Sequence, residues 1–177
     1  LPFFPAAAAL LAVGFVLVAW NLGRTMWAAR PLTLAARFVA VGLVAFGATV
    51  TLGIVFALVL DGIATAQPLI DLTTLGIPVH AAAGLGGWLT LTAIGVSYRL
   101  LAMFMLAPEL DRTSSRAVLW LGTAALAVLI VGGVAVICHG GNLPLVLSIA
   151  GLLAAASLAL YGRDIRYLYR VRKRRKI

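Results

Sequence analysis

The sequence predicts an all-α, polytopic transmembrane helix bundle with five spans, N-terminus outside and C-terminus inside. Three observations carry that reading. The 177 residues are 63% hydrophobic and only 11% charged, with a mean hydropathy of +1.11. A soluble domain of this length has too little interior to hide that much apolar surface, so its solvent is mostly lipid. Apolar runs close to the ~20 residues that cross ~30 Å of hydrocarbon recur along the chain. All fourteen Lys and Arg residues fall in alternate gaps between those runs. Arg24, Arg30 and Arg37 share one gap, Arg99, Arg112 and Arg116 border another, and the rest lie at 163–176. Short loops rich in Lys and Arg mark the cytoplasmic side.

The first span is expected at about residues 5–22, with Trp20 and Trp27 as interfacial aromatics at its inner end. The second is expected at 31–60, opened by Pro31 in its first turn. That is longer than one crossing needs, so Arg37 snorkels back to the inner surface. Asp61-Gly62 ends it. Residues 61–78 read as an outer loop without a cation, with Asp71 as a loop residue or N-cap. The third span is expected at 79–107 and stops at Pro108. The fourth is expected at 117–138, followed by the turn His139-Gly140-Gly141-Asn142-Leu143-Pro144, and the fifth at 145–161. Residues 1–162 thus form one bundle and 163–177 a basic cytoplasmic tail that begins as a continuing helix. The opening residues carry no basic stretch, so a signal peptide is not expected there. The location that fits is a bacterial inner membrane.

The formal charge of +9 would suggest nucleic acid in a soluble protein. Here no nucleic-acid partner is expected, because six of the fourteen cations crowd the last eight positions, beside a span. Arg170, Arg172, Lys173, Arg174, Arg175 and Lys176 are instead expected to meet anionic lipid headgroups or the acidic face of a partner. Membrane lipids and other membrane subunits are the partners implied. Cys138 stands alone, so no internal disulfide is possible. No acid is read within the apolar spans, which counts against an ion-coupled transporter. No glycine loop that would cradle a phosphate, no HExxH and no nucleophile elbow occurs. No catalytic residue is assigned. Ser97 and Ser148 are expected to bond back to their own helices.

The only two histidines share one membrane depth. His80 opens the third span and His139 closes the fourth, so a helical hairpin returns both to the outer face. His80, Ala83, Gly84 and Gly87 fall at i, i+3, i+4 and i+7, on one stripe nearly free of side chains. A flat macrocycle ligated by His80 could lie against such a surface, with Gly84 and Gly87 beneath it and His139 as second ligand or neighbour. Small stripes also serve close helix packing in membranes, and Ala83-xxx-Gly87 and Gly151-xxx-Ala155 both have that form. Haem propionates commonly pair with Arg or Lys, and the outer face offers neither. Cys138, His139 and His80 could alternatively make a three-ligand copper site. A third possibility is no cofactor.

The segment from His80 to Phe104 resembles a helix of bacterial membrane proteins related to the haem–copper oxidase catalytic subunit, oxidase-like and nitric-oxide-reductase-like members included. His80, Gly84, Gly87, Trp88, Gly95, Tyr98, Arg99, Met103 and Phe104 match that pattern, and Ala102 stands where proline is common. The resemblance covers roughly 25 residues of the 177. It implies that His80 faces a haem or metal near the outer side. Catalytic subunits of that family have about a dozen helices and six metal-binding histidines, so this chain is not by itself a complete oxidase. Two functions follow as expectations. One is an integral membrane subunit of a respiratory-type redox assembly, holding or facing haem for electron transport. The other is a cofactor-free structural subunit that packs against partner helices.

Overall fold

The computed structural model describes residues 3–173. Among them helix is the only regular secondary structure, and five helices are long and apolar enough to cross a membrane: α1 (Phe3–Ala28), α2 (Leu34–Leu60), α4 (Ile77–Met105), α5 (Thr113–His139) and α6 (Leu143–Val171). A sixth, short helix, α3 (Gln67–Leu75), lies in the connection expected to be a loop. Pro68 sits in its first turn, and Asp71 is inside the helix, accepting from Gln67 Nε2 at 2.7 Å, so it is not an N-cap.

The helix ends follow local chemistry. Proline 31 does not open α2; it follows a cis peptide bond, and Thr33 caps the helix instead by accepting from the Ala36 amide at 3.3 Å. A threonine oxygen satisfies one of the orphan amides of the first turn, which proline cannot do. Asp61 ends α2 as expected. Leu106, with φ of 49°, ends α4 in the left-handed conformation, and the Ala107 amide returns to Ala102 O at 2.9 Å. Ser115 Oγ accepts from the Arg112 amide at 2.9 Å at the start of α5. Gly140 and Gly141 have φ of 85° and 150°, which side-chain-bearing residues rarely adopt, and they turn the chain from α5 into α6. Asn142 then caps α6 by accepting from the Leu145 amide at 3.0 Å. Helix α6 runs ten residues past the expected end of the fifth span, to Val171.

α4 is the central helix, packed against α2, α5 and α6, while α1 packs mainly on α2. Because lipid is as apolar as leucine, helices gain little from hydrophobicity alone, and close fit decides the contacts. One core cluster surrounds Phe38, Tyr98, Val118 and Leu168, and a second surrounds Leu52, Val79, Leu129 and Ile137. The up-and-down order of the helices gathers the eleven described Lys and Arg residues at one end of the bundle, and His80, Cys138 and His139 at the other.

Two stretches widen from α-helix to π-helix: Ala83–Leu91 in α4 and Val128–Gly132 in α5. The second ends at the Gly132-Gly133 pair. The first begins three residues after His80.

Candidate functional site

His80 lies in the first turn of α4, its amide bonded to Gly76 O at 2.9 Å. Its ring faces α2. It sits on Gly53, where a Cβ would stand 3.3 Å from the imidazole Cε1, and tilts against Phe56 with ring centres 5.4 Å apart. Nδ1 is buried and has no hydrogen-bond partner among the described residues. A buried donor or acceptor without a partner costs about 1–3 kcal/mol. His139, by contrast, is exposed on the last turn of α5. Cys138 is half-buried and turned toward α3, with its thiol 3.9 Å from Pro68 O.

The two histidines therefore share an end of the bundle, as expected, but the imidazole of His80 and the thiol of Cys138 face different helices. Among the described residues, no three His, Cys, Asp or Glu side chains form a group able to hold a metal ion. The three-ligand copper arrangement is not assembled here.

The small-residue stripe is real, and α2 occupies it. Gly84 meets Thr49, where a Cβ would stand 3.2 Å from Cγ2. A Cβ on Gly87 would collide with the Ala45 side chain and stand 3.2 Å from Leu126. Further along, Thr92 meets Gly42, and Gly95 meets Phe38. The contacts step down α2 through residues 53, 49, 45, 42 and 38. On α4 they step up through 80, 84, 87, 92 and 95. The five-residue step from 87 to 92 falls within the π-helical turn, whose wider ladder carries one extra residue. Without it Leu91 would point at Gly42. With it Leu91 turns to Gly122 of α5, and Thr92 takes the α2 side. A methyl group at Gly87 would already collide with Ala45, so in this structure α2 lies against the face. Gly84 and Gly87 belong to helix packing in this arrangement.

The opposite end carries a polar cluster that sequence reading missed. Asp164 of α6 is buried, 5% exposed. Its Oδ2 accepts from Tyr98 OH at 2.9 Å and its Oδ1 from Ser114 Oγ at 2.7 Å, so one carboxylate joins α4, α5 and α6. Alongside it, the hydroxyls of Ser97 and Tyr161 are 2.7 Å apart, and Tyr98 and Tyr161 meet edge to face at 5.5 Å. Ser97 also bonds back to Ile94 O, and Ser148 to Pro144 O, as expected for serines in apolar helices. The signal that could have found Asp164 is its register. Ser157, Tyr161, Asp164 and Leu168 fall at i, i+4, i+7 and i+11 on one face, continuing the buried side of the fifth span into the basic tail.

Outside the spans, Asp111 pairs with Arg116 at 2.7 Å and Arg99 with Glu109 at 2.6 Å. The hydrogen bond from Arg116 holds the Asp111 carboxyl below the usual carboxylate range. Trp20 and Trp27 are exposed near the end of α1, beneath Arg24 and Arg30 at 5.8 Å and 3.9 Å from the ring centres. Of the basic residues expected to meet lipid or a partner, Arg170 and Lys173 are exposed and Arg172 lies 5.8 Å over the Tyr169 ring. Arg174, Arg175 and Lys176 lie outside the described residues. The Lys173 amide bonds to Met105 O at 3.2 Å, tying the end of α6 to the end of α4.

Compared with protein-family models, with curated proteins and with solved structures, the chain matches none of them. The resemblance to the haem–copper oxidase relatives thus rests on residues 80–104 alone.

Proposed function

We propose that this chain is an integral membrane subunit that packs against the helices of a partner in a larger assembly, in a bacterial inner membrane with its N-terminus outside and its basic C-terminal end inside. The gathering of the described cations at one end of the bundle supports the orientation. The observation that carries the assembly role is an apolar groove of about 290 Å³ along α4, α5 and α6. Gly86, Gly122 and Gly151 line it together with Ala82, Ala125 and Ala154. A Cβ added to Gly86 or Gly151 would meet nothing within 4 Å. Small residues facing outward in lipid give up side-chain packing, and they recover it when another backbone comes close. Gly151-xxx-Ala155 is the exposed counterpart of Ala83-xxx-Gly87, whose two residues are buried within the chain.

The test is site-specific photocrosslinking in native membranes. A photoreactive side chain at Leu158, which lines the groove, forms an adduct with another polypeptide, and Gly151→Leu abolishes it by filling the groove. The same probe at Leu152, exposed on the same helix but outside the groove, does not crosslink. Lipid adducts alone from Leu158 would sink the assembly reading.

A second reading, a redox subunit facing haem at the His80 end, is favoured by the buried, partnerless Nδ1 of His80. The oxidase-like segment supports it too. It requires a reduced-minus-oxidised spectrum with Soret and alpha bands in the isolated native assembly, lost in His80→Ala. A colourless assembly ends it.

A further inference from the structure

At the basic end, the start of α5 and the last turns of α6 enclose a cavity of about 450 Å³. Four arginines line it, Arg112, Arg163, Arg166 and Arg170, with Ser114 and Tyr167 between them and Asp164 at its back. We infer that this cavity binds a phosphate group, carried either by the headgroup of an anionic phospholipid or by a soluble phosphate ion.

The charge balance favours an anion. Four guanidiniums and one carboxylate leave the lining at +3 (four minus one). The carboxylate is already engaged on both oxygens, by Tyr98 and Ser114, and it is buried. Arg163, Arg166 and Arg170 fall at i, i+3 and i+7 along α6 and so share one face. None of the four lining arginines pairs with an acid among the described residues, whereas Arg99 and Arg116 are committed to Glu109 and Asp111. Arg112 is fixed in place. It donates to Tyr167 OH at 2.6 Å and lies 3.9 Å over the Tyr167 ring. A held guanidinium loses less freedom when it grips a ligand, and its planar fork matches the oxygens of a phosphate. Basic pockets between helix ends at the headgroup level are sites of this kind. The cavity takes only part of the basic tail: Arg163, Arg166 and Arg170 line it, whereas Arg172 and Lys173 do not. The inference needs no partner subunit, and the cavity shares no lining residue with the groove along α4, α5 and α6.

The test is native mass spectrometry of the full chain released from detergent, titrated with phosphatidylglycerol, phosphatidylcholine or inorganic phosphate. One tightly held phosphatidylglycerol is expected, and phosphatidylcholine binds more weakly. The double variant Arg163→Gln/Arg166→Gln weakens that first equivalent roughly thirtyfold, the scale expected for two cations near a headgroup. Arg163→Lys/Arg166→Lys keeps the charge and recovers part of the affinity, which separates binding from folding. Arg172→Gln/Lys173→Gln leaves the first equivalent in place. Millimolar inorganic phosphate that binds with the same arginine dependence, or displaces the lipid, would make a soluble phosphate the source and leave the site standing. Equal binding of the two lipids with no phosphate binding would overturn the inference. So would equal losses in the two Gln variants.

Discussion

Asp164→Ala removes the acceptor that joins three helices. The Tyr98 hydroxyl, on a side chain only 3% exposed, loses its partner, and the half-buried Ser114 hydroxyl loses its own. A buried donor left unpaired costs about 1–3 kcal/mol. Two effects work against the full sum. Hydrogen bonds measured within membrane proteins average nearer ~0.6 kcal/mol, because the denatured state in lipid also finds partners. The variant also recovers the cost of burying a carboxylate. Weighing these, Asp164→Ala lowers stability by about 2 kcal/mol, and Asp164→Asn, which keeps one acceptor and the volume, by roughly 1 kcal/mol or less. The four tryptophans report unfolding by fluorescence as dodecyl sulfate is titrated into mixed micelles. A double-mutant cycle with Tyr98→Phe isolates the link between α4 and α6, with an expected coupling of about 1 kcal/mol. If Asp164→Ala unfolds within ~0.5 kcal/mol of the wild type, or Tyr98→Phe costs as much without Asp164 as with it, the cluster is not a structural link.

Three further outcomes are expected. Gly87→Leu drives a side chain into Ala45 of α2 and lowers stability by about 1–3 kcal/mol or more, since backbone must move to relieve it. Gly151→Leu, with open space at its Cβ, leaves the isolated chain within ~0.5 kcal/mol of the wild type by the same titration; equal losses would show that the α2 contact is not the tight one. The Asp111–Arg116 pair is exposed. Its contribution is present at neutral pH and above the usual carboxylate range, and is lost as pH falls through the lowered Asp111 pKa. Carboxyl carbon NMR on Arg116→Gln should show Asp111 titrating back in the ordinary range, and an unchanged midpoint would remove Arg116 as the cause.

Much of the architecture was legible because burial in lipid is a local property. Leu34–Leu60 and Thr113–His139 each announce themselves through composition alone, and span count follows from counting such runs. Gln67–Leu75 was not legible as a helix, since nine residues with Asp71 and two threonines read equally well as a loop. The continuation of α6 past the fifth span was expected, but not its length: the apolar composition ends near Tyr161, and backbone hydrogen bonding does not. The arginines beyond it simply continue the helix to Val171.

The candidate sites divide the same way. Sequence spacing found the stripe of His80, Gly84 and Gly87, because helical periodicity fixes which residues share a face. It could not tell whether a cofactor or a helix fills that face. The answer depends on Thr49 and Ala45, some forty residues away, and on the π-helical turn that sets which residues of α4 meet α2. Asp164 was hidden among cations, and only the approach of Tyr98 and Ser114 from two other helices makes it a buried junction. By itself, then, the sequence determined the number of helices long and apolar enough to cross a membrane and the clustering of charge between them, both set by composition along the chain. Tertiary structure alone decided which backbones touch and which arginines are left to line a cavity, because those contacts are made between segments whose pairing no local pattern encodes.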